Sequence, residues 1–174
     1  MILIDPDLDP DATPHLPASR TPVVQNATRL PSTRTLARFL SQAQAAVRLR
    51  GQVTVLLTTD AALRDLNRRF RGKNKPTDIL SFPAANLLQS SEPAERVAGD
   101  IAISVETARR QGTACGHPLG TELKVLILHG LLHLAGYDHE SDTGQMHRRE
   151  RSLRAKLGLA LGLIERAATR DKKP

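Results

Sequence analysis

The sequence predicts an α+β fold, a single layered domain in which a mixed sheet of about four strands packs with about five helices. Strand-like and helix-like hydrophobic runs follow one another along the 174 residues without strict βαβ alternation. The length is sufficient for one domain with a substantial core. Residues 123–136 are apolar on nearly all sides, so we expect a central, buried helix there.

The first half of the chain predicts two strands and two helices. Ile2–Ile4 is expected to form a short strand, and Ser32 to cap a helix that Gly51 stops. The apolar residues of this helix recur at helical spacing: Leu36, Phe39, Leu40, Ala43 and Val47. The β-branched run 53–59 is typical of a strand buried on both faces.

A second helix is expected to begin at the cap residue Asp60 and to end at Gly72. Its predicted buried stripe consists of Leu63, Leu66 and Phe70.

The second half predicts two more strands and three helices. Residues 79–82 read as a strand and residues 84–98 as a loop. The alternating residues Ile101, Ile103 and Val105 predict the last strand, followed by a short helix ending near Gly112.

The buried helix and the last helix complete the predicted elements. Thr121 opens the apolar helix, which carries two histidines. Asp142 and Gln145 have the spacing of a capping box, and the helix that they begin runs to about Leu157.

The composition limits the classes of partner. A formal net charge of +7 predicts a polyanion such as nucleic acid, the ribosome or an acidic membrane. Only 4 aromatic residues argue against proteins that read single strands by base stacking. The single cysteine, Cys115, excludes a disulfide framework and fits a reducing compartment. Acidic residues near the N-terminus and a longest apolar run too short for a membrane helix predict a cytoplasmic protein.

The motif HGLLHLAGYDH at residues 129–139 predicts a metal site. His129 and His133 stand one helical turn apart on one face. Gly136 can end the helix in a left-handed turn, so that His139 reaches the same ion. Ordinary buried histidines are the alternative, but imidazoles without partners in an apolar helix would be costly.

Three imidazoles with a fourth position left for water are typical of a catalytic zinc site, so we expect one zinc ion per chain. Asp138 or Glu140 is a candidate to orient a ligand by a hydrogen bond. The histidine spacing also matches metzincin proteases, which place a general-base Glu directly after the first histidine. Gly130 occupies that position here, which leaves a zincin-like peptidase as a weaker alternative.

A basic segment suggests what the metal site acts on. Residues 64–75 hold six basic residues and one acidic residue, a local net charge of +5. Arg71 and Lys73 flank Gly72, where a turn would project both side chains, and Lys75 follows. Guanidinium groups match phosphate oxygens two at a time. The alternative is a solvated helix face.

Aromatic residues favour close packing of this segment and the histidine motif. Of the four, Phe70, Phe82 and Tyr137 fall in or directly after these two stretches. Residues 148–156 form a second basic stretch, with a local net charge of +4. We expect this stretch to be either a face that contacts phosphates or a solvated surface, without preference.

Three motifs together closely resemble the YbeY family of bacterial metal-dependent endoribonucleases. They are FRGKNKPTDILSFP at 70–83, GDIAIS at 99–104 and HGLLHLAGYDH at 129–139, and the resemblance covers residues 36–157. It implies an α+β fold, with His129, His133 and His139 as zinc ligands and Arg71 as the functional arginine.

The resemblance further implies processing of rRNA, especially at the 3′ end of the small-subunit 16S rRNA, and ribosome quality control. The hypothesis is a single-strand-specific, zinc-dependent endoribonuclease. Arg71 is expected to bind the scissile phosphate, and Lys73 and Lys75 to follow the RNA backbone. Expected partners are RNA, chiefly rRNA, and the small ribosomal subunit with its proteins. The alternative is an assembly factor that binds rRNA or the ribosome and holds a mainly structural metal.

The chain is thereby divided into three parts. Residues 1–35 are a short strand and a Pro- and Asp-rich irregular segment, residues 36–157 the YbeY-like catalytic domain, and residues 158–174 a basic tail.

Overall fold

The predicted α+β architecture is confirmed in the computed structural model, which describes residues 1–8, 29–84, 96–139 and 142–159. Within these residues, four strands form one mixed sheet and five helices cover it. The strands are β1 (Ile2–Ile4), β2 (Gln52–Thr58), β3 (Ile79–Pro83) and β4 (Val97–Ser104). The helices are α1 (Thr33–Val47), α2 (Asp60–Arg71), α3 (Val105–Cys115), α4 (Leu119–Leu134) and α5 (Gln145–Leu157).

The sheet has the strand order β1-β2-β4-β3. β1, β2 and β4 are parallel, and β3 runs antiparallel to β4 at one end of that order. Ile101 of β4 pairs with Val55, and Ile103 pairs with Leu57. All four of these side chains are buried in the main core on one face of the sheet. On the other face of β2, Thr54 and Leu56 are only partly buried, so the predicted burial on both faces is wrong for this strand.

The two faces of the sheet are covered by different helices. Ile101 and Ile103 belong to the main core, which also contains buried residues of α1 and α4. Ala102, between them, points the other way and packs with Leu63 of α2 and Leu80 of β3. The helices α2 and α4 therefore lie on opposite faces of the sheet.

Helix α4 is the buried centre of the fold, as predicted. Twelve of its 16 residues are buried. Gly130 allows a close approach to the sheet, because a Cβ there would lie 2.9 Å from Cδ1 of Ile101 and 3.0 Å from Cδ1 of Ile79. The helix begins at Leu119, two residues before the predicted Thr121, directly after Pro118.

The prediction for α1 is confirmed except at its end. The Ser32 hydroxyl accepts from the backbone N–H of Thr35 at 3.2 Å, and the five predicted apolar residues are the buried ones. The helix ends at Arg48, which adopts a left-handed conformation with φ 66°, not at Gly51. Gly51 instead lets two segments pass closely, since a Cβ there would lie 2.8 Å from the Arg96 carbonyl oxygen.

The predicted stripe of α2 is wrong at Phe70. That ring is 66% exposed, and the buried residues are Leu63 and Asn67. By spacing, Phe70 lies on the same side of α2 as Leu63 and Asn67. It belongs to the last turn of the helix, where its ring contacts Phe82 at 5.1 Å but stays largely open to solvent. Thr59 is the N-cap in place of Asp60, whose carboxylate instead accepts from Thr107 of α3 at 2.6 Å.

Three further boundaries differ from the prediction. β4 begins inside the predicted loop, at Val97, and ends at Ser104. Val105 is the first residue of α3, because the Ser104 hydroxyl accepts from the Thr107 N–H at 3.1 Å and starts the helix there. α3 continues past Gly112 to Cys115 and ends at Gly116, which has φ 73°.

The predicted capping box of Asp142 and Gln145 is wrong, because Gly144 is the N-cap and Gln145 is the first residue of α5. Asp142 still bonds the start of the helix from two positions before the cap. The Asp142 carboxylate accepts from the N–H groups of Gly144 at 2.6 Å, Gln145 at 3.1 Å and Met146 at 2.7 Å. In the described part of the chain, no helix combines the length and apolarity needed to cross a membrane. Because residues 9–28 and 160–174 lie outside the described residues, the division at residues 35 and 158 stays a prediction.

Candidate metal centre

Two of the three predicted ligands are placed by the last two turns of α4. His129 is 4% exposed, and its Nε2 lies 3.1 Å from Nε2 of His133. The four-residue spacing puts both rings on one face, with centroids 4.8 Å apart. The helical spacing of the local sequence thus determines the relative positions of these two histidines.

The third histidine is brought back by the turn that follows α4. Gly136 has φ 87°, a left-handed conformation that glycine adopts without strain. The Tyr137 N–H donates to the Leu132 carbonyl at 3.0 Å and closes the turn. The ring of His139 then lies 5.4 Å from that of His129 and 5.3 Å from that of His133.

The donor set fits a zinc ion. One ring nitrogen of each of His129, His133 and His139 lies within 4.8 Å of the others. With Zn–N bonds of about 2.0–2.1 Å, tetrahedral ligand nitrogens are about 3.3 Å apart. The separation of 3.1 Å between the first two is close to that value. Their role as ligands remains a prediction.

His133 is neutral at physiological pH. Burial, and then the charges of His129 and His139, lower its pKa from 6.5 to about 4. Asp138 acts in the opposite direction. A neutral imidazole offers its lone pair to a metal without first losing a proton.

A buried carboxylate that the sequence reasoning missed supports the cluster. Oε2 of Glu150, on α5, lies 3.3 Å from Nδ1 of His129. Glu150 is 2% exposed. Of the two acids considered for such a role, Asp138 is exposed and Glu140 lies outside the described residues. The available signal was that Glu150 is the only acid in the basic helix α5.

The basic turn after α2 is linked to the helix by hydrogen bonds. Gly72 has φ 66°, and its N–H donates to the Arg68 carbonyl at 3.1 Å. The Asn67 amide donates to the Lys75 carbonyl at 2.8 Å, which ties the turn back to the helix. The three predicted RNA-binding side chains are exposed on it: Arg71, Lys73 and Lys75.

The basic turn and the histidine cluster are joined through β3. α2 and α4 lie on opposite faces of the sheet. The basic turn continues into Ile79 of β3, and the side chain of Ile79 packs against Gly130, which lies between His129 and His133 in α4. Phe70 and Phe82 stack edge to face at 5.1 Å on the α2 side. Tyr137 packs on the main core instead. The predicted packing of the two stretches is therefore confirmed, but it is made by Ile79 and Gly130 and not by the aromatic rings.

Only some of the basic side chains in residues 148–156 are exposed to solvent. Arg154 is buried, and Arg149 donates to the Ala46 carbonyl at 3.1 Å. Arg148, Arg151 and Lys156 remain exposed on α5.

The packing of Gly130 also bears on the peptidase alternative. The residue after His129 faces β3 and β4, where even a Cβ would be tight. A glutamate at this position would have to displace the side chains of Ile101 and Ile79. The glycine is therefore explained by helix–sheet packing, and it leaves the protease's general-base position without a carboxylate.

Comparison with known proteins agrees with these features. The family model for Endoribonuclease YbeY matches residues 22–158. The Endoribonuclease YbeY of Koribacter versatilis is 50% identical over 142 residues, 82% of this chain and 88% of that protein. The one from Solibacter usitatus is 47% identical over 129 residues, 74% of this chain and 82% of that protein. The one from Nautilia profundicola is 42% identical over 114 residues, 66% of this chain and 78% of that protein.

Proposed function

Because this chain belongs to the endoribonuclease YbeY family, we propose that it is a metal-dependent endoribonuclease that processes rRNA by cutting single-stranded segments. The observation that carries this proposal is the histidine cluster. Three ring nitrogens converge within 4.8 Å at the end of an otherwise apolar helix. Only His129 of the three is buried, so the support comes from the convergence of three donor nitrogens, the ligand type and number typical of catalytic zinc sites.

We take the metal to be zinc, one ion per chain, held by His129, His133 and His139. When bound, zinc supplies Lewis-acid activation of a water molecule or a phosphoryl oxygen. The low pKa of His133 keeps that ligand neutral. Three protein ligands leave a coordination position for water or substrate, as in catalytic sites.

The phosphate is the proposed target of the basic turn. Arg71 would bind the scissile phosphate through its guanidinium group, which suits two phosphate oxygens at once and the charge that grows on them. Lys73 and Lys75 would hold the RNA backbone on either side as point charges. The bonds from Asn67 to Lys75 and from Arg64 to Asn74 support this role, because they hold the turn in one conformation.

The proposed substrate is rRNA, and its processing includes the 3′ end of 16S rRNA and ribosome quality control. The net charge of +7 supports a nucleic-acid substrate. With 4 aromatic residues, base stacking contributes little, so the site is chosen by RNA shape or by the small ribosomal subunit and its proteins. The proposed location is the cytoplasm.

A second candidate function is an rRNA- or ribosome-binding assembly factor with a mainly structural metal. The contact between His129 of α4 and Glu150 of α5 favours it. A metal that holds His129 in place would also strengthen the contact between these two helices. The zincin-like peptidase has no comparable support, given the packing of Gly130.

Cleavage of a defined single-stranded RNA and of an rRNA precursor separates the two candidates. An enzyme loses cleavage on chelation and regains it when zinc is restored. RNA binding without metal-dependent cleavage of either substrate would instead establish the assembly factor.

A further inference from the structure

We propose that Glu150 is a positioning residue for the metal site, which holds His129 with its proton on Nδ1 and thereby presents Nε2 to the ion. This inference rests on the metal site of the proposed function but not on RNA cleavage.

The two nitrogens of His129 face different partners. Nδ1 lies 3.3 Å from the Glu150 carboxylate, and Nε2 lies 3.1 Å from Nε2 of His133. A carboxylate accepts hydrogen bonds, so the ring proton belongs on Nδ1 and the lone pair on Nε2. Carboxylate–histidine pairs of this kind fix the tautomer and orientation of metal ligands.

The burial of Glu150 calls for such a partner. The side chains of His129 and Glu150 are 6% and 3% exposed. Burying a carboxylate is costly unless it is paired. Glu150 is the only acid in α5, whose surface positions are largely basic, and it lies on the buried face with Met146 and Leu153. An acidic residue on the surface could be explained by charge pairing with its basic neighbours, but Glu150 is buried. Its presence is therefore better explained by its contact with His129.

The fold contains a matched pair that lies away from the cluster. Oε2 of Glu122 lies 3.2 Å from Nε2 of His117, and Glu122 is fully buried. Glu122 and His129 are seven residues apart on α4, a distance of about 10 Å along the helix axis. Removing either carboxylate disturbs a close contact between a buried glutamate and a histidine, but only Glu150 contacts a proposed ligand.

The Glu150→Gln substitution keeps the size of the side chain and removes its charge. We expect zinc affinity to fall about 10–100-fold, the usual effect of losing a partner behind a ligand. Glu122→Gln should destabilise the protein in thermal unfolding but leave zinc affinity unchanged. Glu150→Asp, which keeps the charge but shortens the reach, should recover part of the lost affinity.

The measurement is zinc dissociation by competition with a chelating dye, beside thermal unfolding of the metal-free proteins. Unchanged zinc affinity in Glu150→Gln would overturn the inference, as would an equal loss in Glu122→Gln. A wild-type protein that binds no zinc would contradict the metal site itself. Wild-type zinc binding without RNA cleavage would contradict the proposed nuclease but not the role of Glu150.

A second measurement uses only the wild-type protein, so it does not depend on whether a variant folds. In the metal-free wild-type protein, ¹⁵N NMR of the histidine rings reports which nitrogen carries the proton. We expect the Nδ1–H form for His129. A dominant Nε2–H form at neutral pH would overturn the proposal.

Discussion

The carboxylate of Glu150 lies 3.3 Å from Nδ1 of His129, a contact between residues 21 positions apart in the chain. It joins α5 to the end of α4, where the three histidines meet. The proposed metal centre is therefore built from a local motif and from one residue of a separate helix. The geometry of the site thus depends on the stability of α5 and on the packing of α4 against the sheet.

The packing of α4 against the sheet is tested by replacing two of its glycines with alanine. Gly130→Ala should destabilise the protein by about 1–3 kcal/mol, because the added methyl group meets Ile101 and Ile79 in a packed core. Gly120→Ala on the same helix meets only Pro31 at 3.6 Å and should stabilise by up to about 1 kcal/mol through helix propensity. Urea unfolding of the metal-free protein measures both. Equal stability of the two variants would contradict this account of the helix–sheet contact.

The cap of α5 predicts a pH effect. The N–H of Met146, followed by those of Gly144 and Gln145, lowers the pKa of Asp142 below 3.8. A carboxyl group whose pKa is lowered in the folded state stabilises the protein above its unfolded pKa, and this contribution is lost as the pH falls through the lowered value. Wild type should thus be more stable than Asp142→Asn at neutral pH, and the difference should begin to shrink near pH 3.8 and disappear once the pH is below the lowered pKa. Urea unfolding across this range measures it, and a difference independent of pH would count against the capping role.

The role of Arg71 is tested against a neighbour on the same helix end. Arg71→Ala should lower the rate of RNA cleavage by about 10²–10³-fold, the usual effect of losing a group that stabilises developing charge. Zinc content and folding should be unchanged. Arg69→Ala is the matched control, because it removes the same charge from the same helix end, at a side chain that contacts Asp65 at 2.6 Å and has no proposed role in phosphate binding. Equal cleavage rates for the two variants would remove Arg71 from the mechanism.

The exposed arginines of α5 are tested by the salt dependence of RNA binding. If Arg148 and Arg151 contact phosphates, each single substitution to Gln lowers the slope of log affinity against log salt by about 0.7 on single-stranded RNA. Arg110→Gln is the control, because that guanidinium lies 2.8 Å from Asp60. Slopes like that of the control would identify this part of α5 as solvated surface.

Local patterns were sufficient where a single element decides the structure. The five buried residues of α1 and the Ser32 cap follow from helical spacing and capping chemistry alone. The approach of the three histidines needed only a helical turn and the left-handed conformation of Gly136.

Tertiary contacts decided the rest. Phe70 lies by spacing on the same side of α2 as Leu63, which packs on Leu80 and Ala102. Its exposure depends on what the sheet places beside the last turn of the helix, so it could not be read from the periodicity. Val105 continues the alternation of β4, but the Ser104 cap ends the strand before it. The pairing of Glu150 with His129 depends on how α5 packs on α4, which no spacing within either helix encodes.

The central claim, that the histidine cluster holds the metal that RNA cleavage requires, is tested most directly by comparing His133→Ala with wild type. Zinc content and cleavage of a defined single-stranded RNA are measured on the same preparations. His147→Ala is the control, because His147 lies on α5 outside the cluster. We predict one zinc per chain and metal-dependent cleavage for wild type and His147→Ala, and the loss of both in His133→Ala. Cleavage by His133→Ala at the wild-type rate would contradict the account.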